Sequence, residues 1–109
     1  MLSRVANSLY WLSRYLERAE NLARLVEVNR YESLDSIDPD PWRPLLYTTC
    51  TEKIFRKSEE QDVGMFISFS EDNPDSIREC VAHARENARV VRDQISEEIW
   101  RDLNRFHLF

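Results

Sequence analysis

The sequence predicts an all-α helical bundle with two long helices, about residues 3–31 and 74–106, and short helices between them. Three observations carry this. Only one of the 109 residues is glycine, whereas sheet and loop folds place glycine at turns needing positive φ and helices exclude it from their interiors. Apolar residues recur at alternating steps of three and four near both ends of the chain, the period of a helix face. The one stretch with strand-like alternation, Val63, Met65 and Ile67, would have no partner strand.

Taken in order, Leu2, Val5, Leu9, Leu12, Leu16, Ala19, Ala23 and Val26 form a heptad stripe. One helix from about Ser3 to Tyr31 follows, roughly 43 Å long at 1.5 Å per residue. Such a rod buries its stripe only against a partner. Ala19 and Ala23 are small enough to bring that partner close, while Leu9, Leu12 and Leu16 fill space nearer the start. Asp38-Pro39-Asp40-Pro41 then ends any helix, because each proline lacks a donor and pushes its predecessor toward extended backbone. Trp42 to Tyr47 reads as a short helix with Pro44 in its first turn, where the missing N–H does little harm. Thr48 to Thr51 is ambiguous, and Glu52 to Ser58 reads as another short helical piece. Ser58-Glu59-Glu60-Gln61 resembles a helix start leading into Val63, Met65, Phe66, Ile67 and Phe69, with Gly64 inside it. Asn73-Pro74-Asp75-Ser76 opens the last helix: Asn73 caps, Pro74 fits the first position and Asp75 meets the positive end of the dipole. Ile77, Val81, Ala84, Ala88, Val91, Ile95, Ile99, Leu103 and Phe106 continue it as a second rod of roughly 48 Å.

A chain of 109 residues holds one domain with a modest core. Its residues are 42% hydrophobic and 32% charged, too apolar for a disordered chain and too charged for a membrane protein. No run of about 18 apolar residues occurs, and the N-terminus opens on an amphipathic pattern instead of a signal sequence. A cytoplasmic location without membrane contact is therefore expected. The net charge of −5 argues against general nucleic-acid binding, which rests on many basic residues meeting phosphates. Cys50 and Cys80 are expected to be reduced, since no secretion signal accompanies them.

Two stretches share a signature: Arg18-Ala19-Glu20-Asn21-Leu22-Ala23-Arg24 and Ala84-Arg85-Glu86-Asn87-Ala88-Arg89. Arg85, Arg89 and Arg92 recur at i, i+4 and i+7, forming one row on the last helix. Arg14 and Arg18 pair similarly on the first helix, with Glu17, Asn21 and Arg24 alongside. The flanking alanines suggest that the two helices pack together with the two polar clusters near each other. On a structural reading, Glu17 and Glu20 accept from Arg85 or Arg89 across the interface, and Glu86 does the same for Arg18, fixing register. A functional reading has the arginines converge on a phosphate or carboxylate, which the planar guanidinium grips with two parallel bonds, with Glu17 or Glu86 as general base. The candidate cluster is Arg14, Glu17, Arg18, Asn21, Arg85, Glu86, Asn87, Arg89 and Arg92; no residue in it is assigned a catalytic role. If Glu17 is a buried partner of arginine, its truncation costs about 3 kcal/mol.

No metal site is expected, because His83-Ala84-Arg85-Glu86 reverses the Glu-x-x-His order of di-iron bundles and the arginines repel a cation. Cys80 and His83 have no third orienting group in view, so they read as a core thiol beside a surface histidine. Tyr10, Trp11, Tyr15, Trp42 and Trp100 read as packing and interface anchors. Trp100, Leu103, Phe106, Leu108 and Phe109 leave an apolar tail that no later element covers. A homo-oligomer, or further helices of a longer chain, is the expected cover.

The segment Met1-Leu2-Ser3-Arg4-Val5-Ala6-Asn7-Ser8-Leu9-Tyr10-Trp11, followed by Arg14-Tyr15-Leu16-Glu17-Arg18-Ala19-Glu20-Asn21-Leu22-Ala23-Arg24, resembles the opening of the bacterial alpha-E domain family. That family is named for a helical fold with a Glu-Arg motif, here Glu17-Arg18. Trp42 with Pro44-Leu45-Leu46, then Asn73-Pro74-Asp75-Ser76-Ile77 and Ala84 to Asp93, resemble later blocks of the family in the same order. The resemblance implies one alpha-E-like domain over residues 1–109, matching the N-terminal part of a longer family fold. It also implies an accessory role beside ATP-grasp-like carboxylate–amine ligases and transglutaminase-like domains of peptide synthesis or protein modification, with a ligase as a possible partner. No cofactor is expected, and no catalytic residues are established for the family.

Overall fold

The computed structural model describes the backbone of residues 2–108 and the side chains of residues 3–106. Among them lie six α-helices and no strand: α1 (Leu2–Leu34), α2 (Arg43–Thr48), α3 (Glu52–Lys57), α4 (Val63–Phe69), α5 (Ile77–Val90) and α6 (Glu97–Leu108), with a 3₁₀ turn at Arg92–Gln94. The all-α bundle expected from the sequence is what forms.

Helix α1 contains neither glycine nor proline over 33 residues and reaches about 50 Å at 1.5 Å per residue. The longest dimension of the molecule is 53 Å, so this one helix sets its length. Helix α5 lies antiparallel along it: Tyr15 stacks on His83 with ring centroids 5.0 Å apart, and three residues later on α1 Arg18 reaches back to Asp75 at 3.6 Å. Ala84 and Ala88 of α5 are fully buried, as is Ala19 of α1 nearly so, and these small side chains let the two helices approach closely. Ala23, however, is exposed, and Leu22 takes the inward position. At that level α1 also packs against α2 and α4, and the side they cover includes Leu22.

The short helices complete the core. Leu45 and Leu46 of α2 and Val63, Phe66 and Ile67 of α4 are buried with Leu12, Leu22, Cys80 and Val81, and Phe55 meets Phe66 edge-on at 5.0 Å. Helix α4 begins at Asp62, whose carboxylate accepts from the Met65 N–H at 3.1 Å, later than the expected start at Ser58. Gly64 has a packing reason. A Cβ there would sit 3.2 Å from Asp62 Oδ1 and 3.5 Å from the Trp42 ring.

The second long rod does not form as one helix. It starts at Ile77, where Ser76 Oγ accepts from the Glu79 N–H at 3.1 Å, and Asn73 instead shapes the preceding turn. The chain breaks at residues 91–96 and doubles back as α6, so that Arg85 meets Asn104 and Arg92 meets Trp100. Ser96 caps α6 through the Ile99 N–H at 3.2 Å, and Glu97 and Glu98 stand at the positive end of its dipole. Periodicity runs through the break because both arms of the hairpin bury the same kind of face. The fold-back covers much of the expected apolar tail: Leu103 is buried and Trp100 half-buried, while Ile99 and Phe106 stay over 40% exposed. Leu108 and Phe109, like Leu2 of the first stripe, lie outside the side chains described.

Beyond Val26, most of the α1 surface is open to water, while Asn29 and Ser33 stay partly covered. Leu25, Val28, Tyr31 and Leu34, at steps of three, form an apolar ridge that winds half-way round the helix, its exposure rising from 38% at Leu25 to 75% at Leu34.

Candidate functional site

The first signature faces a cleft of about 480 Å³. Three segments build it. Helix α1 contributes Arg14, Glu17, Arg18 and Asn21, one face of its middle turns. The end of α2 contributes Thr48, Thr49 and Thr51. There the Thr51 N–H bonds the Leu46 carbonyl at 2.9 Å and the Cys50 N–H bonds the Tyr47 carbonyl at 3.2 Å, while Cys50 takes φ of 59°. This is a Schellman turn with cysteine where glycine is favoured, and it swings the three threonines back toward α1. The turn before α5 contributes Asn73 and Asp75. Asn73 is buried, its Nδ2 donating to the Phe66 carbonyl at 3.4 Å and its Oδ1 accepting from the Asp75 N–H at 3.0 Å, which fixes where Asp75 stands.

Within the cleft, Arg18 faces Asp75 at 3.6 Å and Arg14 faces Glu17 at 3.4 Å, all four side chains at least 43% exposed. These separations exceed the about 2.7–2.9 Å of a tight charge-assisted bond. The guanidinium of Arg18 also lies 5.5 Å from the centre of the Tyr15 ring. Thr49 Oγ1 bonds the Leu45 carbonyl at 2.9 Å and shares a 2.8 Å bond with Thr51 Oγ1. Leu22, Leu25 and Ile67 supply the apolar part of the lining.

The second signature is elsewhere. Arg85 Nε donates to Asn104 Oδ1 at 2.7 Å, and Asn104 Nδ2 donates to the Trp100 carbonyl at 3.0 Å. The guanidinium groups of Arg85 and Arg92 lie 5.8 and 5.0 Å from the centre of the Trp100 ring. Glu86 contacts Arg89 at 3.4 Å and Arg85 at 3.8 Å on its own helix, and Asn87 donates to the His83 carbonyl. Of this half of the candidate cluster, Arg85 and Arg92 clasp α6 to α5.

The expected meeting of the two clusters is thus corrected. With Tyr15 level with His83, antiparallel packing places residues 85–89 opposite the early turns of α1, away from Arg18. Among the described residues none of the expected cross-helix pairs forms: Glu17 contacts Arg14, Glu20 contacts Arg24, and Glu86 contacts Arg85 and Arg89. Glu17 is exposed, so the condition for a 3 kcal/mol loss on its truncation is not met. Sequence reasoning missed Asp75 as a site residue, reading it only for its effect on the dipole. It also missed the threonines, whose clustering at 48, 49 and 51 was the available signal.

Cys50 is exposed and Cys80 buried, and both are free thiols. Burial pushes the Cys80 thiol above its ordinary value, with Arg18 pulling the other way, and its Sγ donates to the Asp75 carbonyl at 3.7 Å. It is a protonated core group at neutral pH. Among the described residues no group of three or more His, Cys, Asp or Glu gathers as metal ligands, and no helix is long and apolar enough to cross a membrane.

A family profile described as Alpha-E, "a predicted alpha-helical domain with a conserved ER motif", matches residues 1–109. An uncharacterized protein of Mycobacterium bovis is 29% identical over 117 residues, covering 89% of this chain and 13% of the relative. An uncharacterized protein of Mycobacterium tuberculosis is 28% identical over the same length and shares. The chain therefore spans about an eighth of the length of these curated relatives. No solved structure matches it. Helical throughout its regular elements, and with its sole Glu-Arg step, Glu17-Arg18, on the wall of the cleft, this chain belongs to the Alpha-E family.

Proposed function

We propose that this domain is an accessory helical module that docks onto a larger catalytic partner. The setting is the one its family resemblance implies, beside ATP-grasp-like ligase and transglutaminase-like components of peptide synthesis or protein modification in the cytoplasm. The observation that carries this reading is the exposed ridge of Leu25, Val28, Tyr31 and Leu34 on the C-terminal end of α1. Apolar side chains bared to water on successive turns of a helix mark a surface for another protein. The relatives support a large partner over a second copy, since their matched segment is 13% of a much longer chain. In those proteins the matching segment is a small part of one long polypeptide.

The test is co-purification with an ATP-grasp-like ligase from the same organism. A stable complex that is lost in Val28→Glu and Tyr31→Glu supports the reading. Absence of a complex, or one indifferent to both substitutions, overturns it. Sedimentation of the isolated chain covers the homo-oligomer: self-association sensitive to the same substitutions would transfer the ridge to a second copy.

A second reading, binding of a small ligand, is favoured by the cleft itself. Two guanidinium groups and three threonines converge there, and the ion pairs of those arginines are long and exposed.

A further inference from the structure

We infer that the cleft takes a small zwitterion, an α-amino acid with an aliphatic side chain, an inference that rests on reading the cleft as a ligand site. Charge is the first argument. The lining holds two guanidinium groups, Arg14 and Arg18, and two carboxylates, Glu17 and Asp75, so it is neutral overall in a chain of net charge −5. A phosphate or other polyanion entering there would be opposed by both carboxylates and by the field of the whole molecule. A ligand carrying one charge of each sign would not.

Geometry is the second argument. Arg18 on α1 and Asp75 on the turn before α5 stand across the cleft from each other at 3.6 Å, close enough to be neighbours and too far apart for a tight bond. The α-ammonium and α-carboxylate of an amino acid are likewise neighbours of opposite charge. Its carboxylate can take the fork of Arg18 while its ammonium takes the carboxylate of Asp75, replacing one long, water-exposed pair by two short ones. Their positions are partly set in advance: the Asp75 backbone N–H bonds the buried side chain of Asn73, and the Arg18 guanidinium lies against the Tyr15 ring, itself stacked on His83. Groups fixed before the ligand arrives lose little freedom on binding.

The remaining lining matches the rest of such a molecule. Leu22 and Leu25 offer apolar surface one and two turns along α1 from Arg18. The volume of about 480 Å³ falls within the roughly 300–1,000 Å³ of small-molecule pockets.

Titration calorimetry of the intact chain at neutral pH tests this with L-leucine, 4-methylpentanoate, 3-methylbutylamine and inorganic phosphate. The first three differ only in which of the two charges they carry. L-leucine is expected to bind at least about tenfold more tightly than any of the others, a gap of about 1.4 kcal/mol. Arg18→Gln and Asp75→Asn should each weaken it by a similar factor, and Arg24→Gln, whose side chain lies outside the cleft lining, should not. Circular dichroism confirms that each variant folds. If 4-methylpentanoate or phosphate binds as well as L-leucine, the cleft is an anion site and the zwitterion inference alone falls. If no probe binds at about 10 mM, the weak end of specific recognition, the ligand-site reading falls with it.

Discussion

The two Arg/Glu/Asn signatures are nearly the same in sequence and opposite in use. On α1 the arginines stand at the wall of a cleft, paired loosely and open to water. On α5 Arg85 and Arg92 lie over the Trp100 ring, Arg85 also gripping Asn104. The difference comes from what each helix faces. The α1 signature looks onto a turn of threonines and a lone aspartate, which leave space, whereas the α5 signature looks onto a helix that folds back on it. A polar motif on a helix thus has no fixed role until its neighbour is known.

The largest effect that would break this comparison is at Trp100. Its replacement by alanine removes a half-buried ring and two guanidinium contacts, and should lower stability by about 3 kcal/mol, read by urea denaturation. Ligand binding at the cleft should persist wherever the variant is folded. A neutral result would mean that α6 is not held by this clasp.

A smaller, opposite effect sharpens the α1 side. Cys50 occupies the left-handed position of the Schellman turn that presents the threonines, where a Cβ is unfavourable. Cys50→Gly should therefore raise stability by about 0.5–1 kcal/mol, after the entropy that glycine adds to the unfolded chain. A lower melting temperature would show that the Cys50 side chain makes contacts the turn requires.

Smaller still is the alkaline dependence from Cys80. Because its folded thiol is raised above the ordinary 9.0, the unfolded chain ionises first, so stability is complete below that value and is lost as pH climbs toward the folded one. Cys80→Ala should flatten the decline in melting temperature above it. The least effect belongs to Glu17→Ala. An exposed pair at 3.4 Å is worth under about 0.5 kcal/mol, and a loss near 3 kcal/mol would restore the buried seam expected from sequence.

Much of the fold was legible because helix signals are local. The stripe of α1, the proline turn after it and the burial of Ala19, Ala84 and Ala88 all follow from steps of three and four and from side-chain size. The break at residues 91–96 was not legible from periodicity, although Ser96-Glu97-Glu98 is a helix start that could have been weighed against it. Of the candidate cluster, Arg14, Glu17, Arg18 and Asn21 share one cleft. The placing of Asp75 and the threonines there depends on which turn of α5 meets which turn of α1. Register between antiparallel helices is set by packing across the whole interface, and no short stretch of sequence encodes it.

The central claim, one motif used as an open cleft wall and its near copy as a clasp, is tested most directly by matched urea denaturation of Arg18→Gln and Arg85→Gln. Arg85 donates to a half-buried amide and covers Trp100, so its loss should lower the unfolding free energy by about 2 kcal/mol. Arg18 has an exposed pair and one exposed ring contact, so its loss should cost less than about 1 kcal/mol. Equal losses, or a larger one at Arg18, would contradict the division of roles.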